Sequence, residues 1–572
     1  MVWTRLRTLE AAVVMLALGL RGAAASSIAQ TGHARHPLVD AHTYWAQASS
    51  LAAGGNPFKE GFYQPPGYPL FLSWLQQLGA TDLWGPRLFQ MGLGVLTTLC
   101  LIAVGRRIGG EGRRWVGAAA GALYTLYPSV LLFELDMLTP SVTSFVMVLL
   151  LALVTPHASV WRFGVAGGLA GLVSAVHPSF LIVGVAIWAA GYLHATERRG
   201  PMWAASVGLV LGLMPITQAN IDRFEHAQFT SNNSGINFYM GNNPDWKRTA
   251  FLRPGLRFRQ MALEAEPHHR DGFERNDYWM ARTLSDIAAA PHTWLGTVGT
   301  KALWSFNDTE IPRNEDYRCR TRAGPMSWLD WRLVRYGVVF PFAMLGAICL
   351  WRRRSDGRFA VLAWMALHLP VILFIVADRY RLATWPMMCL LAPVGVGAVR
   401  DVLANRGRLL WVWLVACLLP WLPLDERTEM DPAWCAHVEG NLAFMDDELE
   451  RAERLYGEAV RLDPDDWSAR VWLAQTLAKR GEVTQAITHL QVVLDGFPDS
   501  FPTLRTAAHL QVRQGDPGAG AELMLRAYAV PGERTSTGIK AIKMLQRSGQ
   551  QERAREILRQ DPKLAKRWAQ KP

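Results

Sequence analysis

Long apolar runs alternate with short basic clusters from the N-terminus to about residue 424, and beyond it the pattern changes to charged, helix-period repeats. Runs approaching the ~20 residues that cross a bilayer as a helix fall near 11–29, 84–104, 115–133, 137–154, 163–176, 179–195, 202–219, 334–351, 359–376, 383–399 and 409–423. The reading is eleven transmembrane helices, the fifth and the last of them short. Three polar stretches between them are richer than plain connections: 30–83, 220–332 and the brief segment Ala377-Asp378-Arg379-Tyr380-Arg381-Leu382. The expected fold is an all-α polytopic bundle with a mixed outer loop near 220–332.

The tail carries an internal period. Ala452, Ala486, Gly520 and Ala554 are each 34 apart, as are Gly481, Gly515 and Gly549, while Pro464, Pro498 and Pro531 follow nearly the same interval. Small residues let paired helices approach, glycine ends the first helix of a pair, and proline ends the second. A 34-residue helix–turn–helix period resembles the tetratricopeptide repeat. In the first repeat Asp447 stands where glycine is expected, and the last repeat is read as truncated after its second helix. The domain reading is therefore 1–424 for the membrane part and 425–572 for the repeats.

Charge sharpens the topology. The net charge is +11, with 38 Lys/Arg against 25 Asp/Glu in 1–424 and 21 against 23 in 425–572. The basic excess sits between apolar runs, at Arg5 and Arg7, Arg106, Arg107, Arg113 and Arg114, Arg198 and Arg199, Arg352, Arg353, Arg354 and Arg358, and Arg400, Arg406 and Arg408. With a cytoplasmic N-terminus and eleven spans, every cluster falls inside, as the positive-inside rule asks; the repeats then lie outside. That placement speaks for a membrane protein and against nucleic-acid binding. Arg5, Arg7, the first apolar run and Ala23-Ala24-Ala25 also resemble a cleaved secretory signal, which Arg21 interrupts.

Half of the residues are hydrophobic, 19% are charged, and mean hydropathy is +0.07. A disordered chain and a single soluble core are both excluded by these values and by the length. Six cysteines without a CxxC pair offer neither a disulfide scaffold nor a zinc motif, and the histidines, His268-His269 included, lack ligand spacing. No metal and no cofactor are expected.

Candidate chemistry gathers at the outer ends of spans. Asp40 and Tyr44 open the first outer loop, Phe62-Tyr63-Gln64-Pro65-Pro66-Gly67-Tyr68-Pro69-Leu70 follows as a rigid aromatic segment, Arg87 and Gln90 begin the second span, and Glu134 and Asp136 close the third. In this order these residues resemble membrane glycosyltransferases of the GT-C type, in the family 39-like branch related to protein O-mannosyltransferases and lipid A aminoarabinose transferases. Asn232-Asn233-Ser234-Gly235-Ile236-Asn237-Phe238-Tyr239-Met240-Gly241-Asn242-Asn243-Pro244, Glu310-Ile311-Pro312-Arg313-Asn314 and Arg379-Tyr380-Arg381 are similar to segments of bacterial GT-C-like proteins with tetratricopeptide tails.

The resemblance implies transfer of a sugar from a polyprenyl-phosphate carrier to a protein, lipid or glycan acceptor on the extracytoplasmic side, in a bacterium the periplasmic face of the inner membrane. Such an inverting displacement needs a carboxylate to take the acceptor's proton and cations to hold the leaving phosphate. Asp40 is the expected base. Glu134 or Asp136 orients its partner or holds a sugar hydroxyl. Arg87, Lys301, Arg379 and Arg381 are the candidates for phosphate. Tyr44, Tyr63 and Tyr68 line the sugar or lipid groove, and Asn237 and Asn242 belong to the binding segment. His177-Pro178 stands where the family more often has Arg-Pro, which leaves His177 outside the expected site. The repeats imply a protein partner. Competing readings are an O-antigen ligase or polymerase, which would not need Asp40, a non-catalytic scaffold presenting the repeats, and a transporter, which the lack of mid-membrane charge disfavours.

Overall fold

A computed structural model of the chain describes all residues except 1, 59–60, 195–198, 266–270, 323, 332, 354–356, 406, 531–534 and 570–572. Arg198, Arg354, Arg406, His268, His269 and Pro531 therefore lie outside the described residues. The protein is 77% helical, with no strand among the described residues. It divides into two compact units, Met1–Phe251 with Asp271–Met430, and Leu252–Arg270 with Asp431–Pro572.

In the first unit every apolar run is helical, but not every helix is long. Leu6–Ile28, Trp84–Gly109 and Arg199–Phe224 are long and apolar enough to cross a membrane. Two further candidates are bent pairs, Trp115–Thr125 with Pro128–Leu135 at 56° and Asp378–Val396 with Val399–Asn405 at 50°. Pro140–Leu153, Val160–Ser174, Phe180–Leu193, Tyr336–Arg352, Arg358–Leu373 and Arg408–Trp421 are apolar but run only 10–17 residues. At about 1.5 Å per residue such helices fall short of a ~30 Å hydrocarbon core. Among the described residues three helices are long and apolar enough to cross a membrane, or five if each bent pair is one span, so helix length does not confirm all of the expected eleven. Proline accounts for part of the shortening: Pro128 and Pro140 each start a new helix where the sequence pattern reads onward.

Close helix contacts hold the bundle together. A Cβ on Gly208 would overlap the Gly164 carbonyl, so Val160–Ser174 and Arg199–Phe224 meet backbone to backbone. Without a strong hydrophobic drive between helices in lipid, such small-residue seams are the usual means of association.

The stretch read as a mixed loop alternates helices with irregular segments, the helices in this unit being Ser234–Asn242, Trp246–Thr249, Gly272–Ala289, Pro291–Ser305 and Tyr317–Thr321. Local signals start two of them. Asp271 caps its helix by accepting from the backbone N–H groups of Phe273 and Glu274, and Pro291 stands in the first turn of the next.

The second unit is the repeat array, built from Pro432–Met445, Leu449–Leu462, Trp467–Arg480, Val483–Gly496, Phe501–Arg513, Pro517–Ala529, Thr535–Arg547 and Gln551–Gln560. The periodic alanines Ala452, Ala486 and Ala554 are buried. Gly481, Gly515 and Gly549 take left-handed φ of 93°, 95° and 80°, and Asp447 adopts the same conformation at 60°. The array does not stop after its last pair. Pro562–Ala569 adds a helix whose Leu564 is fully buried, as end repeats need a cap over their apolar face.

The same unit takes in a segment from the long outer stretch. Leu256 is buried in the repeat core, its backbone N–H donates to Ser468 Oγ at 3.0 Å, and the Arg253 guanidinium lies 4.7 Å from the Trp434 ring centroid.

Candidate functional site

Asp40 stands in the first turn of the helix Val39–Ala52. The preceding Val39 has φ of 49°, a left-handed conformation unusual for a β-branched residue and the kind of local strain that a surrounding structure must enforce. Asp40 is thereby held where three other segments converge. Its Oδ1 accepts from Gln64 Nε2 at 2.8 Å. Its Oδ2 accepts from Asn314 Nδ2 at 2.8 Å and from Arg379 Nη1 at 2.5 Å. Burial by itself would raise this carboxyl; the Arg379 charge and hydrogen bond, with the Asn314 bond, overcome that and hold it below the usual aspartate range.

Access to the pair is retained. The Asp40 and Arg379 side chains are 16% and 17% exposed. Arg379 Nη2 donates to Tyr380 Oη at 2.7 Å, and its Nε is buried without a partner. The His177 ring lies 5.8 Å from the Tyr380 ring, and its buried Nδ1 also has no partner. Tyr44 packs edge-on against Tyr68 at 5.2 Å, and Tyr63 is half exposed.

Beside Ala41 opens a small polar cavity, lined among others by His33, Asn314, Glu315, Tyr317 and Arg320. Asp136 faces it, held by Arg320 at 2.9 Å and by the Tyr317 hydroxyl at 2.8 Å. Glu315 pairs with Arg320 and with His33 Nε2 at 3.2 Å. Burial would raise the Glu315 carboxyl, but the Arg320 charge and the His33 hydrogen bond bring it down to about 2.

The remaining candidates are engaged with the protein itself. Arg87 donates to the carbonyls of Leu135, Ala34 and His33 at 2.8, 2.6 and 2.6 Å, so its guanidinium ties the first outer loop to the turn after Pro128–Leu135. Gln90 accepts from Tyr68 Oη at 2.6 Å and donates to the Asp136 carbonyl at 2.6 Å. Glu134 is ion-paired with Arg21. Lys301, 1% exposed, donates to the carbonyls of Gly241, Leu373 and Phe374 and to Asn242 Oδ1 at 2.9–3.1 Å. Asn242 also bonds the Leu373 carbonyl, and Asn237 bonds back to Asn233 within its own helix. Arg381 faces Glu310 at 2.7 Å and lies over the Tyr336 ring at 4.0 Å.

The structure therefore joins Asp40 to Arg379 directly, with Tyr44 and Tyr68 in mutual contact nearby. It adds Gln64, Asn314 and Tyr380, which stand inside the Phe62–Leu70, Glu310–Asn314 and Arg379–Arg381 motifs. Their amide and phenol groups identify them only once their acceptor is known. Among the described residues no cluster of three or more His, Cys, Asp or Glu has metal-binding geometry.

Residues 438–501 match the family model of the tetratricopeptide repeat. No curated protein matches the chain. Among solved structures it is weakly similar to MamA from Desulfovibrio magneticus RS-1, at 17% identity over 30% of this chain and 93% of that one with a TM-score of 0.22. A double mutant of MamA from RS-1 gives the same identity and score over 92% of its length. A weak similarity also extends over 82% of this chain and 57% of the oligosaccharyltransferase from Archaeoglobus fulgidus, at 12% identity and a TM-score of 0.40.

Proposed function

We propose that the protein is an integral membrane glycosyltransferase that moves a sugar from a polyprenyl-phosphate carrier to an acceptor hydroxyl on the extracytoplasmic side, with inversion. The observation that carries this reading is the convergence on Asp40 of Gln64, Asn314 and Arg379. These residues come from three segments whose motifs resemble GT-C enzymes: the first outer loop, the Glu310–Asn314 segment and the Asp378–Arg381 turn. A carboxylate and an arginine side by side at an accessible site are what the displacement requires.

In this reading the Asp40 carboxylate takes the proton of the acceptor hydroxyl as that oxygen bonds to the anomeric carbon. The bond from that carbon to the phosphate oxygen breaks, and its electron pair leaves on the polyprenyl phosphate. Arg379 holds the departing phosphate by charge and a donor fork. Tyr44, Tyr63 and Tyr68 border the site as apolar, hydrogen-bonding walls. Asp136 is held by Arg320 and Tyr317 at the neighbouring cavity, where an acceptor hydroxyl has polar partners. Arg87, Glu134, Lys301, Asn242 and Arg381 support the site by holding its segments together. The tetratricopeptide repeats, which in general mediate protein–protein contact, recruit a protein partner outside the cytoplasm.

The test compares wild type with Asp40→Asn in membranes, reading release of polyprenyl phosphate from a panel of radiolabelled polyprenyl-phosphate sugars. Release by wild type and its loss in the variant at equal expression is the expected result. Equal release by both removes Asp40 from the chemistry.

A further inference from the structure

Asp40 and Arg379 pose a difficulty for any mechanism that uses both. A carboxylate locked to a guanidinium is a poor proton acceptor, and a guanidinium locked to a carboxylate is poorly free to hold a phosphate. The geometry points to a resolution. The contact is one end-on hydrogen bond from Nη1 to Oδ2 rather than a two-pronged fork. The Arg379 Nε is buried and unpartnered, so the guanidinium still has an N–H to give. Both side chains keep about one-sixth of their surface accessible, and Asp40 retains two neutral donors, Gln64 and Asn314, that would stay in place if Arg379 turned away.

Resting on the reading above, we propose that Arg379 is an exchangeable counterion: it neutralises Asp40 in the empty site and transfers to the phosphate of the polyprenyl-phosphate donor, so that Asp40 becomes a competent base only when the donor is bound. The exchange follows from competition between two anions for one cation. The donor's phosphodiester carries one charge over two free oxygens, so Arg379 can meet it with a fork through Nε and Nη together where it meets Asp40 through a single hydrogen bond, and the charge that develops on the departing phosphate strengthens that hold. Once Arg379 has turned, burial acts on Asp40 against only two neutral hydrogen bonds, and its affinity for a proton rises. The other charges and titratable groups facing the pair are Arg313, Tyr44, Tyr63, Tyr380, His177 and the buried carboxylate Asp378, which accepts from the Arg379 backbone N–H at 2.6 Å. Asp378 is engaged with the Arg379 backbone N–H, whereas the guanidinium itself pairs with Asp40, so the anion it meets at the accessible side is Asp40 or the donor phosphate. Acceptor activation is thereby conditional on the donor, and an acceptor alone meets a silenced base.

The exchange is read from binding of radiolabelled polyprenyl phosphate to the full-length detergent-solubilised protein in four forms: wild type, Asp40→Asn, Arg379→Gln and the double variant. Asp40→Asn releases Arg379 and is expected to bind polyprenyl phosphate on the order of tenfold tighter, the loss of one charge-assisted competitor. Arg379→Gln binds weakly, and adding Asp40→Asn to it changes nothing. Equal tightening by Asp40→Asn in both backgrounds would mean simple charge repulsion and overturns the exchange, as does the absence of tightening. If wild type binds polyprenyl phosphate no better than the uncharged polyprenol, the donor reading itself falls and the exchange with it. Phosphate binding that depends on Arg379 yet ignores Asp40 leaves the reading standing and removes only the exchange. Arg379→Met, which also removes the charge, replaces Arg379→Gln in the cycle if the latter does not fold.

Discussion

Arg21 donates from Nη2 to Glu134 Oε1 at 2.6 Å, with the two side chains 3% and 1% exposed. The residue that interrupts the apolar N-terminal run is thus the partner of a carboxylate on the helix Pro128–Leu135. Losing either partner leaves a buried charge alone, at a cost of about 3–5 kcal/mol, whereas replacing both by apolar residues costs far less. Arg21→Leu and Glu134→Leu are each expected to lower the unfolding temperature sharply, and the double variant to recover most of the loss. Gly94 packs against the pair so tightly that a Cβ would overlap both Glu134 Oε1 and Arg21 Nη2, so Gly94→Ala is expected to behave like the single variants.

The Glu315 carboxyl, brought down to about 2 by Arg320 and His33, makes a pH prediction with a definite sign. A carboxyl with a folded-state pKa below its unfolded value near ~4.3 stabilises the fold at every pH above that value, and the contribution is lost as pH falls towards the folded value. Stability of wild type is expected to hold above about pH 4.5 and to decline between there and about pH 2. Glu315→Gln is expected to be less stable at neutral pH and to lose that part of the acid dependence. Tryptophan fluorescence during thermal unfolding at stepped pH reads both.

Asp447 occupies the left-handed position that Gly481, Gly515 and Gly549 take in the later repeats. Its contact with Lys479, 3.2 Å between exposed groups, is worth little. Asp447→Gly removes the Cβ strain and is expected to stabilise the repeat unit by about 0.5–1 kcal/mol, less the entropy that glycine adds to the unfolded chain. Gly481→Ala is expected to destabilise it by at least as much. Chemical denaturation followed by circular dichroism distinguishes the two.

Leu256 is buried among the repeats although it lies far from them in sequence. Leu256→Ala is expected to cost about 2 kcal/mol or more. Hydrogen exchange is expected to rise in peptides covering 252–262 and 463–472 and to stay unchanged in Thr535–Arg547. Unaltered exchange in the first two would show that the segment does not depend on this contact.

Much of the local architecture is written in short-range pattern. Helix periodicity, apolar run length, Pro128 and Pro140 at helix starts, and the 34-residue spacing of small residues all depend on neighbours within a few turns, which a sequence displays directly. Eleven apolar segments are legible in this way, and Pro128 and Pro140 mark the helix breaks at 126–127 and 136–139, but how far each of the other short apolar helices runs is read only from the structure. The sequence also marks residue types suited to the chemistry: a carboxylate at 40, arginines at 87, 379 and 381, and a lysine at 301. Only tertiary structure decides which of those charges is already spent. Arg87 is consumed by three carbonyls and Lys301 by four acceptors, while Arg379 keeps an unpartnered N–H and a solvent-accessible edge. The physical reason is separation along the chain. Asp40 and Arg379 are 339 positions apart and Arg21 and Glu134 are 113 apart, so the hydrogen bond that sets each group's charge and reach exists only after the chain has folded.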